Sequence, residues 1–490
     1  MKPERIQFNL LSADAVATCL VLILVAVQLF WPPMVGVASN GDFERLMHWG
    51  KFEYVTGDYD EKYFNWINRE FRITKNPWLA WYGFGSSEII FIKLSAIIGD
   101  WLFAGDRFDL RLLGVIHLLA YAAAFWLLMR GWRAATGFSP LCLLPGFLLL
   151  FCDLGYTAYF NSFYSEPSSL IFLLAMTGAG FYLASQQRRT TSALLLFCLC
   201  AGLFIAAKPQ NFTMIPPLLL FCARLFQFNR EKVQRWLLAG FAASLISAAV
   251  LLNVIAPWYA HNGRYQSVFY GILKDSPSPE QDLRDLGLDE KLAVLADTTT
   301  FHSNLPIDIN SQDFAGRFYR RINHLKIAQF YLTHPARLLN KLRLTAGNAY
   351  SLRLNLGNFE KATGLPARTT AERWVWWSNF KQRYWPKSLW LFAIWWAALV
   401  VFISRGYRRA STAGRLAREF CLMLLAMMLL AFITPIIGDG ESDLQKHLFL
   451  FNALFDLSLL LLTGLALGKL WRVAGGVLQS RTHSRLNYQL

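Results

Sequence analysis

Cysteine is missing from every long polar stretch of this chain. Its seven cysteines, Cys19, Cys142, Cys152, Cys198, Cys200, Cys222 and Cys421, all fall inside or at the edge of apolar runs. That placement argues against a disulfide framework and against a thiolate metal site. Charge is scarce as well, at 16% of 490 residues against 55% hydrophobic, with a mean hydropathy of +0.31. An ordinary soluble enzyme is excluded by that balance, which reads as a polytopic membrane protein. There is no internal repeat and no low-complexity linker. The formal net charge of +16 does not point to nucleic acid, because the basic residues sit in short loops between apolar runs, as in membrane proteins.

Ten apolar runs suit membrane spans, near 13–31, 110–129, 139–152, 167–184, 193–207, 212–227, 236–256, 388–404, 416–437 and 447–470. The first follows Lys2 and Arg5 like a signal peptide, but no small-residue cleavage site precedes Trp31-Pro32-Pro33, so a retained signal-anchor is expected. An eleventh run, Ser86 to Phe103, carries Glu88, Lys93 and Asp100, charges that are costly at bilayer depth. Laid on the surface as an amphipathic helix, it leaves Arg130, Arg133, Arg188, Arg189, Arg230, Lys232, Arg235, Arg405, Arg408, Arg409 and Arg415 on one side, with both termini and Arg472, Arg481 and Arg485. By the positive-inside rule that side is the cytoplasm.

The expected organisation is an N-terminal transmembrane module over 1–256 with a first outer loop at 32–109, an outer helical segment over 257–387 beginning at Pro257, and a C-terminal transmembrane module over 388–490. Within the outer segment, Ser278-Pro279-Glu280 reads as a helix start, and further helices are expected from Gln312 to Tyr331 and from Pro335 onward. Its apolar residues are too few for a large independent core. The tryptophans from Trp374 to Trp390 read as an interfacial belt before the next span.

The polar residues with chemical potential collect at the outer ends of the spans. In Asn40-Gly41-Asp42-Phe43, Asp42 either caps a short helix or meets a lipid head group just past the first span. Asp58 and Asp60 have the spacing of a metal-binding Asp-X-Asp pair but read better as a polar turn. The outer loop Asp153 to Glu166 ends in Asn161-Ser162-Phe163-Tyr164-Ser165-Glu166-Pro167, which offers Asn161, Tyr164 and Glu166 to a substrate, although a Glu before Pro also suits a helix start. In the turn Lys208-Pro209-Gln210-Asn211, Lys208 either meets a phosphate or snorkels to lipid head groups. The loop Gly438 to His447 brings Lys446 and His447, suited to a phosphate, beside Asp439, Glu441 and Asp443, oxygen ligands for a divalent cation; its bland reading is a solvated turn with Asp443 as cap.

Together NGDF near 40, YFNSFYSEP near 160, KPQN near 208 and GDGESDLQKHLFLFN near 438 resemble the bacterial glycan-biosynthesis hexose transferases of the WsfD type, over nearly the whole chain. One span, a long outer loop opening with an Asp, surface helices and then Arg107-Phe108-Asp109-Leu110-Arg111-Leu112 also resemble the C-type glycosyltransferase (GT-C) fold. The resemblance implies an all-α bundle of ten transmembrane helices in the bacterial cytoplasmic membrane. It also implies a polyprenyl-phosphate-linked hexose as donor, a glycan acceptor outside the membrane, and Asp42 as base; Gln210 joins the substrate-binding set with Glu166 and Lys208. No cofactor follows for certain, and a divalent cation is allowed. The rivals are a lipid-linked glycan flippase, which would line the bundle interior with charge, and an oligosaccharide ligase.

Overall fold

The computed structural model describes residues 12–74, 85–102, 105–186, 190–255 and 260–486. Lys2, Arg5, Arg188, Arg189 and Pro257 lie outside these, as do the side chains of Arg481 and Arg485. The chain is predominantly helical, an all-α polytopic membrane protein with a single three-stranded sheet among the described residues.

Helix α1 (Ala13–Phe30) starts where the Ser12 hydroxyl accepts from Ala15 N at 3.3 Å. Its buried Asp14 pairs at 3.0 Å with Arg133, near the end of α2 (Arg111–Thr136). This pairing sets α1 and α2 antiparallel, with Arg133 at the end of the bundle where α1 begins. Next comes a helical pair, Pro140–Leu150 and Leu154–Phe160, bent by 75°. The bend has a cause in the sequence: Asp153 turns its carboxylate to Gly155 N at 2.8 Å and Ser378 N at 3.0 Å, capping a new turn instead of extending the old one.

Helix α3 (Glu166–Ser185) packs on α2 with backbone against backbone, since a Cβ on Gly131 would collide with the Gly178 carbonyl. Helix α4 (Thr191–Ala206), the segment Pro209–Phe228 and helix α5 (Lys232–Ile255) then weave back and forth. After the polar segment, α6 (Leu389–Ser404), α7 (Thr412–Asp439) and α8 (Phe449–Leu486) complete the bundle.

Of the ten predicted spans, eight are helices long and apolar enough to cross a membrane. The run at 139–152 is half of the bent pair and is no straight span, and the run at 193–207 falls in α4, which has only 16 residues. The Asp153 to Glu166 stretch, expected as an outer loop, is buried throughout. Asp153, Tyr156 and Ser162 have backbone and side-chain partners that replace water.

The helix Glu88–Leu102 does not carry the chain across the bundle. Just before it, Ser87 N donates to Ala206 O at 2.9 Å, at the end of α4. After it, the strand Arg107–Asp109 leads straight into the start of α2. That strand (β3) pairs antiparallel with Glu70–Ile73 (β2), which pairs with Phe52–Tyr54 (β1). The sheet turns Phe52, Phe71 and Phe108 inward onto Phe163.

One hydrophobic core takes in the bundle, the sheet and the later part of the polar segment around Tyr350 and Trp377. A second, smaller core gathers Tyr265, Phe269, Phe314, Phe318, Phe330 and Tyr331. The polar segment thus has a small aromatic core of its own, in keeping with a composition too poor in apolar residues for a large one. The helix expected from Pro335 runs unbroken to Asn348, whereas the other two are divided: the run from Gln312 is interrupted after Tyr319, and Gly287, at φ +71°, separates Pro279–Asp285 from a 3-10 turn at Glu290–Leu295.

Candidate functional site

The candidate centre lies where α1, α4 and α7 end and α2, α3 and α8 begin. Phe43 positions its neighbour Asp42. It is buried, with its ring edge-on to Phe163 at 5.6 Å and to Tyr164 at 4.8 Å. Gly41, at φ +100°, turns the backbone just before it, a conformation that favours glycine. Anchored in this way, the carboxylate of Asp42 faces the loop between α7 and α8, with its side chain 26% exposed.

Asp42 is not a helix cap. The short helix Glu44–Met47 is capped at Phe43 without a side-chain bond. The Asp42 carboxylate instead forms an ion pair with Lys446 through Oδ2 and one with Arg45 at 3.0 Å through Oδ1. Lys446 has only 5% of its side chain exposed; it also donates to Asn40 Oδ1 at 3.3 Å and lies over the Tyr164 ring at 4.4 Å. Tyr164 OH donates to Ala38 O and Asn40 Oδ1, at 3.0 Å each, and accepts from Asn40 N at 2.9 Å. Burial raises the Asp42 pKa, but Lys446, Arg45 and the more distant Lys208 together outweigh it and hold the carboxyl well below the usual range. The stabilisation from this charged form is complete above the ordinary carboxylate pKa and is lost only as pH falls through the depressed value.

Beside this pair, Lys208 donates to the buried Glu166 at 2.8 Å. Glu166 is the first residue of α3, where the helix N-terminus favours a negative charge. Gln210 Nε2 donates to His447 O at 2.8 Å, and His447 Nε2 lies 2.9 Å from Asp439 Oδ2. Asp443 stands at the start of the helix Leu444–His447, but its side chain accepts from Asn40 Nδ2 at 3.3 Å and makes no cap. Asp58, read as part of a polar turn, caps the short helix Tyr59–Lys62 through Glu61 N at 3.0 Å.

Two expectations are corrected. Asn161 does not face the site; its amide donates to Val35 O at 2.6 Å, and Gly114 packs against it, so it holds the chain that follows α1. The proposed cation ligands diverge. Asp439 turns to His447, Asp443 to Asn40, and Glu441 to Lys341 at 2.5 Å and Lys274 at 2.9 Å. No three His, Cys, Asp or Glu among the described residues converge as a cation would require.

Sequence reasoning named Asn40 only as part of a motif, yet it joins Lys446, Tyr164 and Asp443. It missed the buried pair Glu88–His117, at 2.6 Å, in which Glu88 also accepts from Ser168 N in the first turn of α3. A charge inside an apolar run together with a lone histidine in a span was the available signal.

Fold and centre together define a helical multi-pass membrane protein with a buried, paired-charge centre at one end of its bundle. The chain belongs to the family described as YfdI N-terminal transmembrane domain, whose model matches residues 2–481. No curated protein and no solved structure matches the chain.

Proposed function

We propose that the protein is a membrane hexosyltransferase of the WsfD-like, GT-C class, using a polyprenyl-phosphate hexose and a glycan acceptor on the outer face of the bacterial cytoplasmic membrane. Membership of a transmembrane-domain family suits a membrane glycan function. The observation that carries the reading is the Asp42–Lys446 pair beside Glu166–Lys208, two carboxylates and two ammonium groups at the end of an apolar bundle. Here a lipid-borne phosphate meets cations while its chain stays in the bilayer.

In the reaction, Asp42 removes the proton of an acceptor hydroxyl as that oxygen bonds to the anomeric carbon. The bond from that carbon to the phosphate oxygen breaks, and the phosphate leaves with its electron pair. Lys446 and Lys208 meet the growing charge. In the structure Lys446 holds Asp42 ionised but weakly basic. A donor phosphate that draws Lys446 to itself releases Asp42 and raises its basicity.

This exchange makes a signed prediction for Lys446→Gln. With Lys446 gone, burial opposes ionisation and Arg45 remains the near cation, so the Asp42 pKa rises. The acid limb of the kcat/KM profile therefore moves to higher pH, and binding of the donor, measured by equilibrium titration, weakens about 10-fold or more. An unmoved acid limb with unchanged donor affinity rules out this role for Lys446.

A further inference from the structure

Four cationic side chains are buried among the described residues: Arg264, Lys341, Lys381 and Lys446. Three meet carboxylates: Lys341 pairs with Asp275 and Glu441, Lys381 with Asp456, and Lys446 with Asp42. Arg264 does not. It is 9% exposed, forms no ion pair with any described residue, and its buried Nε has no hydrogen-bond partner. A guanidinium taken out of water without an anion is costly, and burial presses its pKa down.

The surroundings of Arg264 are built firmly. Its helix, His261–Ser267, docks on the C-terminal tip of α7, where Ser267 Oγ donates to Ile437 O at 2.9 Å. Gly263 lies so close that a Cβ there would be 2.5 Å from Gly438 O. His324 lies beside the same tip, and its Nε2 is a second buried polar atom with no partner. His261, stacked on the Tyr319 ring at 4.1 Å, and His324 both feel the Arg264 charge. The acidic group nearby is Asp439, which His447 engages. With its amide nitrogen facing Asp439, Gln266 engages it too, at 2.9 Å and 3.1 Å. Asp439 is thus already hydrogen-bonded by Gln266 and engaged by His447.

We propose that Arg264 and His324 form an oxyanion subsite, distinct from the Asp42 centre, that holds a phosphate or carboxylate group carried by a substrate. The planar guanidinium fork suits either group through two parallel hydrogen bonds. The subsite is linked to the centre through Asp439 and His447, which adjoins Lys446. This assignment needs no assumption about the chemistry at Asp42. The competing explanation is that Arg264 complements the carbonyl end of α7.

Thermal unfolding of the full chain in detergent, with inorganic phosphate titrated in, separates the two. In a Lys446→Gln background, which weakens phosphate binding at the centre, phosphate raises the unfolding midpoint. Adding Arg264→Met leaves the phosphate-free midpoint equal or higher, because an unpaired buried charge is gone, and weakens the phosphate response about 10-fold or more. Arg264→Lys, which keeps the charge but loses the fork, and His324→Gln each weaken it less. Farnesyl phosphate competing for the Arg264-dependent response assigns the subsite to the lipid phosphate, and glucuronate competing assigns it to an acidic acceptor sugar. A midpoint lowered by Arg264→Met with an unchanged phosphate response, no phosphate response at all, or competition by neither compound overturns the proposal.

Discussion

Under the proposed function, Asp42→Asn lowers the hexose transfer rate about 10²- to 10⁴-fold, the span of a lost general base. The substitution is nearly isosteric, and Phe43 still anchors the backbone in its aromatic pocket. An amide oxygen still accepts from Lys446, so the loop between α7 and α8 keeps its contact with the first polar segment. What disappears is the capacity to take a proton. The loss should therefore fall on kcat, with donor affinity equal or tighter, because the cations that meet the phosphate are all retained and Lys446 no longer has to leave a carboxylate. Single-turnover kinetics on purified variant and wild type measure this. Asp42→Glu, one methylene longer, retains the base but misplaces it beside Lys446 and should fall between the two. A rate for Asp42→Asn equal to wild type would remove Asp42 from the chemistry.

The largest stability effect is expected far from that carboxylate. Lys381, on the helix Trp376–Tyr384, points into the bundle and meets both oxygens of Asp456 on α8 at 3.1 Å. Both side chains are 0% exposed, and Tyr156 OH donates to the same carboxylate at 2.5 Å. Trp377, Tyr350 and Phe455 present ring faces to the ammonium group. Lys381→Met leaves Asp456 charged and unpaired, at a cost of about 3–5 kcal/mol. Lys381→Met with Asp456→Asn removes both charges, keeps an acceptor for Tyr156 and should recover most of that loss. Thermal unfolding of the two variants measures the difference. If the double variant is no more stable than the single one, the pair is not the source of the effect.

How legible this was in the sequence depended on the range of the interaction. Local signals worked: Pro279 and Pro335 open helices, and the long apolar runs are helices. The bend at Asp153 was out of reach, because Ser378, the group that draws its carboxylate away, lies 225 residues along the chain. The candidate centre was legible as a set of motifs at one end of the bundle, but its pairings were not. Nothing in the spacing of Asn40, Asp42 and Lys446 says that a residue 404 positions away closes on Asp42. The cation ligands failed for a related reason. Asp439, Glu441 and Asp443 alternate along a loop, and the left-handed backbone at Gly440 and Asp443 sends each carboxylate to a different neighbour. Gly440 itself sits against the Gln266 carbonyl, where a Cβ would lie 2.5 Å from the oxygen.

The measurement that bears most directly on the catalytic claim is transfer by the purified full-length protein, supplied with polyprenyl-phosphate hexoses labelled in the sugar and with a glycan acceptor. The account predicts that one hexose moves per event, with inversion at the anomeric carbon and release of polyprenyl phosphate, and that Asp42→Asn slows it about 10²- to 10⁴-fold. Transfer of whole glycan chains, or passage of the lipid-linked sugar across a bilayer without any bond breaking, would contradict it.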